Sequence, residues 1–90
     1  MIKTKPNDAD PMLVALQALT VTISDENRAQ RLLDLSGLSP DDLRARATQP
    51  QVLAAVMSFL EAHEPDLVSV ANAIGRKPEE LVAARSALEA

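Results

Sequence analysis

The single histidine of the chain, His63, lies among acidic residues that could bind a metal ion. Glu61, Glu64 and Asp66 stand within a few positions of it, and imidazole with carboxylates can bind divalent transition metals. A metal site needs several ligands at a defined spacing, which one imidazole among irregularly spaced carboxylates does not provide. The simpler interpretation is a histidine near a helix C-terminus, where the helix dipole favours the protonated imidazole. We therefore predict no metal site and no cofactor.

Residues 67–88 resemble the helix-turn-helix of DNA-binding proteins, with Gly75 at the turn. The apolar residues before and after this glycine have the spacing that the turn requires. Arg76 and Lys77 are the cations that could contact a phosphate. However, the second helix would begin with two glutamates and the chain has a net charge of −4, and both features oppose binding to nucleic acid. DNA binding is therefore the alternative function, and an ordinary connection between two helices is the preferred interpretation.

The composition argues against catalysis. The chain has no cysteine, which excludes a disulfide scaffold, a thiolate zinc site and a cysteine nucleophile. The sequence has no motif that pairs a nucleophile with a base, binds a phosphate in a glycine-rich loop or pairs two catalytic carboxylates. Arg28, Arg31, Arg44 and Arg46 could form a basic patch, although the last two are spaced to pair with aspartates on one helix surface. We predict that the protein is not an enzyme.

Prolines and glycines divide the chain into helices. Five of the six prolines stand where a helix can begin, because a proline at the first helical position loses no hydrogen bond. Gly37 and Gly75 each stand three residues before a proline, which is typical of the left-handed residue that ends a helix. We predict an all-α fold, a compact bundle of about six short helices. Their expected ranges are 11–24, 25–36, 40–47, 50–63, 66–74 and 78–88.

The first of these helices has the most ambiguous pattern. Residues 19–23 alternate with a period of two and are rich in β-branched side chains, which also suits a strand. We favour a helix because residues 12–19 form helices well and a single strand would have no partner. The segment has no charge, from which we predict that it is the most buried helix. It is too short to span a membrane and acidic residues flank it, so we expect a cytoplasmic protein without a membrane partner.

The predicted organisation is a disordered tail over 1–10 followed by a single helical domain over 11–90. Within this domain both glycines are followed by the same pattern, which is a proline, two acidic residues and a leucine. Duplication of a three-helix unit, over 11–48 and 49–86, would produce this match. Repeated use of the same turn chemistry would produce it as well, and the sequence leaves both explanations open.

Apolar side chains on the fourth helix form the predicted interface. Val52, Val56 and Phe59 lie on or beside one face of that helix. The chain has one phenylalanine and no Trp or Tyr, and a domain of this size has little apolar surface to spare. An apolar face left exposed would therefore need a second chain to cover it. We predict a protein–protein interaction or regulatory module, with a protein partner or a weak homo-oligomer as its counterpart.

Three segments carry a resemblance to a known family. They are LQAL in the first helix, LSGLSPDDLRARA and VLAAVMSFL. With these segments, residues 12–88 resemble a family of small alphaproteobacterial proteins known only as a domain of unknown function. The resemblance implies a small, cytoplasmic, all-helical protein, and it implies no activity, ligand or catalytic residue.

Overall fold

The computed structural model describes residues 10–90, which form six α-helices and no strand. In chain order the helices are α1 (Pro11–Ser24), α2 (Glu26–Ser36), α3 (Pro40–Ala45), α4 (Pro50–Glu61), α5 (Glu64–Ala73) and α6 (Pro78–Glu89). The all-α fold is therefore confirmed for this part of the chain. The tail predicted to be disordered lies outside the described residues, except for Asp10, which caps α1.

The helices begin where local chemistry favours a start. The Asp10 carboxylate accepts a hydrogen bond from the Met12 N–H at 2.9 Å, and a proline opens α1. At α3, Ser39 and Asp42 each accept a hydrogen bond from the other's backbone N–H, which forms a capping box. These caps satisfy backbone donors that have no partner within the helix.

Two helix starts differ from the prediction. Asp25, and not Ser24, precedes α2, because the Ser24 hydroxyl donates to the Val21 carbonyl and Ser24 remains part of α1. Helix α5 begins at Glu64 with His63 as its N-cap residue, so its proline occupies the first turn and not the position before it. His63 therefore lies in the short connection between α4 and α5.

The threonines of α1 are accommodated in a helix by hydrogen bonds to their own backbone. Thr20 Oγ1 donates to the Leu16 carbonyl at 3.0 Å, and Thr22 Oγ1 donates to the Ala18 carbonyl at 2.7 Å. Thr22 is fully buried, so its hydroxyl would otherwise be left in the core without a partner. The helical prediction for this segment is confirmed, and the strand alternative is wrong.

Helix α4 is the most buried helix of the bundle. Seven of its 12 residues are buried, against five of 14 in α1. The prediction that α1 is the most buried helix is therefore wrong. Helices α1 and α4 each contact four other helices, but α1 packs with one side and leaves the other side open. Helix α1 thus has two uncharged surfaces, of which one packs in the core and the other is exposed.

Val52, Val56 and Phe59 belong to the core. Val52 and Val56 are almost inaccessible, and Phe59 keeps only a small exposed edge. These side chains therefore cannot form the exposed interface that was predicted for them, because neighbouring helices cover this face of α4. The periodicity of α4 does identify an apolar face, and that face is used inside the chain.

The two glycines end their helices as predicted. Gly37 has φ 74° and Gly75 has φ 70°, both in the left-handed region. Each is followed by a helix that begins with proline, so the two connections share their local geometry. Duplication and shared turn chemistry both predict this similarity, and the duplication therefore stays a prediction.

Replacement of either glycine by alanine should destabilise the protein by about 1 kcal/mol, because a β-carbon disfavours the left-handed backbone. At both glycines, the position that a β-carbon would take has no neighbouring side chain within 4 Å, so the cost comes from backbone conformation alone. Urea unfolding followed by circular dichroism measures the change for Gly37→Ala and Gly75→Ala. Asn72→Ala, at an exposed position of α5, is the matched control and should be neutral or stabilising. Unchanged stability in both glycine variants would contradict the assignment.

Candidate functional site

The fold separates the acidic residues that surround His63 in the sequence. Asp66 contacts arginines of α2, and Glu61 accepts a hydrogen bond from Arg85 of α6, which raises the pKa of Arg85. His63 itself is exposed. Among residues 10–90, no three His, Cys, Asp or Glu side chains are grouped as a metal site would need. Glu61 and Asp66 therefore act as partners of arginines from other helices.

Asp66 joins α5 to α2 through a buried ion pair. Its side chain is 7% exposed, with Oδ1 lying 3.1 Å from Arg28 Nε and Oδ2 lying 2.8 Å from Arg31 Nη2. Burial raises the pKa of Asp66, but hydrogen bonds from Arg31 and Arg28 outweigh burial and hold the pKa below its ordinary value. Asp66 is therefore charged at neutral pH, and its charge holds two side chains of α2 against α5.

Arg31 makes a second contact that fixes α2. Its guanidinium carbon lies 5.6 Å from the centre of the Phe59 ring, within the range of a cation–π interaction. Helix α2 contributes only one buried side chain, Leu32, to the core. The two arginines therefore add polar contacts to the packing of α2 on α1 and α4, and α3 follows α2 through the turn at Gly37.

The two cations proposed for DNA contact lie at the start of α6. Arg76 Nη1 lies 3.3 Å from Glu80 Oε2, and the Lys77 N–H donates to Glu80 Oε1 at 2.8 Å. The hydrogen bond from Lys77 and the charge of Arg76 lower the pKa of Glu80. The exposed side of α6 presents Glu79, Glu89 and small residues. This charge is opposite to what phosphate binding requires, so the geometry gives no support to DNA binding by 67–88.

One side of α1 is exposed and uncharged. No Asp, Glu, Lys or Arg occurs in this helix. Leu13 near its start is 49% exposed, and Ile23 near its end is 46% exposed. We name this side the α1 face, and its exposed residues are Leu13, Gln17, Thr20, Ile23 and Ser24.

An apolar groove of about 470 Å³ runs beside the α1 face, between α1 and the α2–α3 hairpin. Its only charged lining residue, Arg44, pairs with Asp41 at 3.0 Å. The apolar lining comes from three helices and includes Leu16, Leu19, Ile23, Leu33 and Leu43. Because α2 and α3 form one wall, the width of this groove depends on the position of α2.

The hydroxyl groups of the α1 face already have partners within α1. The Thr20 hydroxyl donates to the Leu16 carbonyl, and the Ser24 hydroxyl donates to the Val21 carbonyl at 2.6 Å. Covering a hydroxyl that keeps its hydrogen bond costs far less than covering one that loses its water partner. The hydroxyls therefore add little to the cost of removing the α1 face from water.

Sequence reasoning missed this surface, although a signal for it was present. Leu13, Leu16, Thr20 and Ile23 follow one another at intervals of three, four and three residues. This spacing is typical of a seam that packs against another helix. The signal was obscured because α1 is uncharged on all sides, so its period does not separate the packed side from the open side.

A family model described as "Protein of unknown function (DUF3572)" matches residues 8–90. The chain belongs to this family. The match includes all six helices, and with them the α1 face and the groove. The resemblance to a family of unknown function is confirmed, while its alphaproteobacterial origin stays a prediction. No curated protein and no solved structure matches the chain.

Membership of the DUF3572 family brings no activity with it. None of the helices in the described region is long and apolar enough to cross a bilayer. The α1 face and the groove are the candidate site of this DUF3572 protein.

Asp66→Asn should destabilise the protein, because the variant leaves two arginines beside a neutral amide. Breaking a buried ion pair costs about 3–5 kcal/mol, and Arg31 is nearly half exposed, so we expect a smaller loss of about 1–3 kcal/mol. Asp41→Asn is the control, because its pair with Arg44 is fully solvated and should change stability by less than about 0.5 kcal/mol. Urea unfolding at pH 7 measures both variants.

The wild type and Asp66→Asn can also be compared as the pH is changed. The Asp66 pKa is lowered in the folded state, so its stabilisation is complete above the unfolded carboxyl pKa of about 4 and disappears as the pH falls through the lower folded value. The stability difference between wild type and Asp66→Asn should therefore be constant from pH 7 to about pH 5 and shrink below about pH 4. A difference that grows on acidification would contradict this role of the carboxylate.

Proposed function

We propose that this protein is a non-catalytic, cytoplasmic interaction module that binds a helix of a protein partner on the α1 face and in the adjoining groove. The observation that supports it is an uncharged helix face that stays open beside an apolar groove, while the core is built elsewhere. A surface of this kind is typical of a helix-in-groove binding site.

The energetics of this surface favour occupation. Full burial of a Leu or Ile side chain contributes roughly 1.5–3 kcal/mol, so covering the exposed halves of Leu13 and Ile23 would contribute about 1 kcal/mol each. Leu16 and Leu33 in the groove add further apolar area. The interface would have no Trp or Tyr from this chain, because the chain has none. Since these residues dominate strong interfaces, modest affinity is expected.

The spacing of the α1 face suits a helix as the bound element. Apolar and small polar residues at intervals of three and four form ridges that accept a second helix at a crossing angle of about 20°. An extended strand would leave its backbone groups unpaired here, because α1 has no free backbone edge to offer it.

Several reactive side chains are already paired within the chain, which supports binding over catalysis. Glu61, Asp66 and Glu80 each face an arginine within the chain. The hydroxyls of Thr20 and Thr22 donate to carbonyls of their own helix. Groups held in this way stabilise the fold, and none of them lies beside a nucleophile–base arrangement of the kind that catalysis requires.

Affinity capture with Ile23→Lys tests this function. A lysine in an apolar groove costs more than the ~1.4 kcal/mol that corresponds to a tenfold loss of affinity, so proteins retained by the wild type should fall at least about tenfold. Lysine is chosen because a cation suits the last turn of α1. Quantitative mass spectrometry of the captured proteins provides the measurement.

Leu35→Lys is the matched control for this experiment. Leu35 is 77% exposed on α2 and lies outside the groove, so the variant adds the same charge and removes a similar apolar surface. It should retain the same proteins as the wild type. Equal retention by wild type and Ile23→Lys would reject the groove as the binding site.

A further inference from the structure

We propose that the helix bound by the α1 face is α1 of a second copy of this chain, packed antiparallel across a twofold axis. This inference rests on the proposed function, because it identifies the partner of the same surface. Two properties of the face, its register and its shape, support a second copy over a foreign helix, and its charge and hydrogen bonds are compatible with one.

The register of the seam is symmetric. Leu13 and Ile23 lie at equal distances on either side of residue 18, and so do Leu16 and Thr20. An antiparallel pair of α1 helices with its axis at this level therefore places Leu13 of one copy opposite Ile23 of the other. The same operation places Leu16 opposite Thr20, so every position of the seam finds a partner.

The shape of the surface is complementary to itself under this symmetry. Leu13 stands outside the groove of its own chain, whereas Ile23 lines that groove about 15 Å further along the helix. The antiparallel arrangement brings Leu13 of each copy to the groove of the other. Each chain thus offers one projecting side chain and one groove, which is the condition for a closed, isologous dimer.

The α1 face itself carries no charge, and acidic residues flank it at both ends. The chain has a net charge of −4, so two copies repel each other unless they meet on a neutral surface. Helix α1 is such a surface. The antiparallel arrangement places Asp10 of one copy opposite Glu26 of the other, so the repulsion that remains is confined to the two ends of the seam.

The hydrogen bonds of the face are also compatible with a second copy. Its hydroxyls donate within their own helix, so they do not need a polar partner across the interface. Gln17 is the remaining polar side chain near the centre of the face. An amide both donates and accepts, and Gln17 of a second copy, next to the same axis, can satisfy it in both directions.

Sedimentation equilibrium over a hundredfold range of concentration tests the dimer. The average mass of the wild type should rise from 9.6 kDa towards twice that value. Ile23→Lys and Leu13→Glu should each shift this rise to at least tenfold higher concentration, while Leu35→Lys should leave it unchanged. Interference optics are needed because the chain has no Trp or Tyr, and circular dichroism confirms that each variant is folded.

Disulfide cross-linking tests the orientation, since the chain has no cysteine of its own. Under a mild oxidant, a mixture of Leu13→Cys and Ile23→Cys chains should form a covalent dimer at least several-fold faster than either variant alone. Faster cross-linking of Leu13→Cys with itself would indicate parallel helices and overturn the proposal.

A strictly monomeric wild type would also overturn the second copy as the occupant. The proposed function and the dimer can be rejected independently of each other. If the chain is monomeric and Ile23→Lys still loses captured proteins, the groove binds a foreign helix and only the dimer is rejected. If the chain is monomeric and Ile23→Lys captures the same proteins as the wild type, both proposals are rejected.

Discussion

The buried ion pair between Asp66 and the two arginines of α2 is the contact on which the outer part of the molecule depends. Helices α1, α4, α5 and α6 share an apolar core, whereas α2 reaches that core mainly through one leucine. The carboxylate of α5 pairs with two arginines of α2, and α3 adds Leu43 to the core. Since α2 and α3 form one wall of the groove, this charged contact acts on an element of the candidate site.

Local structure could be predicted from this sequence, and long-range pairing could not. Helix starts at prolines and helix ends at Gly37 and Gly75 depend on the backbone chemistry of a few adjacent residues. In the structure both glycines have the left-handed conformation that was expected, and α1, α3, α4 and α6 begin at prolines. Asp66 and Arg28 are 38 residues apart, and no local pattern indicates that they meet. The interface was assigned to α4 for a related reason, because periodicity identifies an apolar face but does not say whether another helix of the same chain covers it.

Helix α1 has a packed side and an open side, and neither carries a charge. Its packed side contributes Ala15, Ala18 and Leu19 to the core, and its open side leaves Leu13 and Ile23 partly in water. Both sides avoid charge, although only one of them is buried within the chain. An exposed surface without charge in an acidic protein is a natural place for another helix to pack, and the back-bonded hydroxyls lower the cost of covering it. The groove beside it has α2 as part of its wall, and the Asp66 ion pair contacts the same helix.

Distances between spin labels test most directly whether Asp66 holds α2. Labels on cysteines at Gln30 of α2 and Asn72 of α5 report on the ion pair, and labels at Ser58 of α4 and Ser86 of α6 report on the core; all four positions are exposed. In Asp66→Asn, diluted with unlabelled chain, the α2–α5 distance distribution should broaden and lengthen while the α4–α6 distribution stays unchanged. An unchanged α2–α5 distribution, or equal broadening of both, would contradict the account.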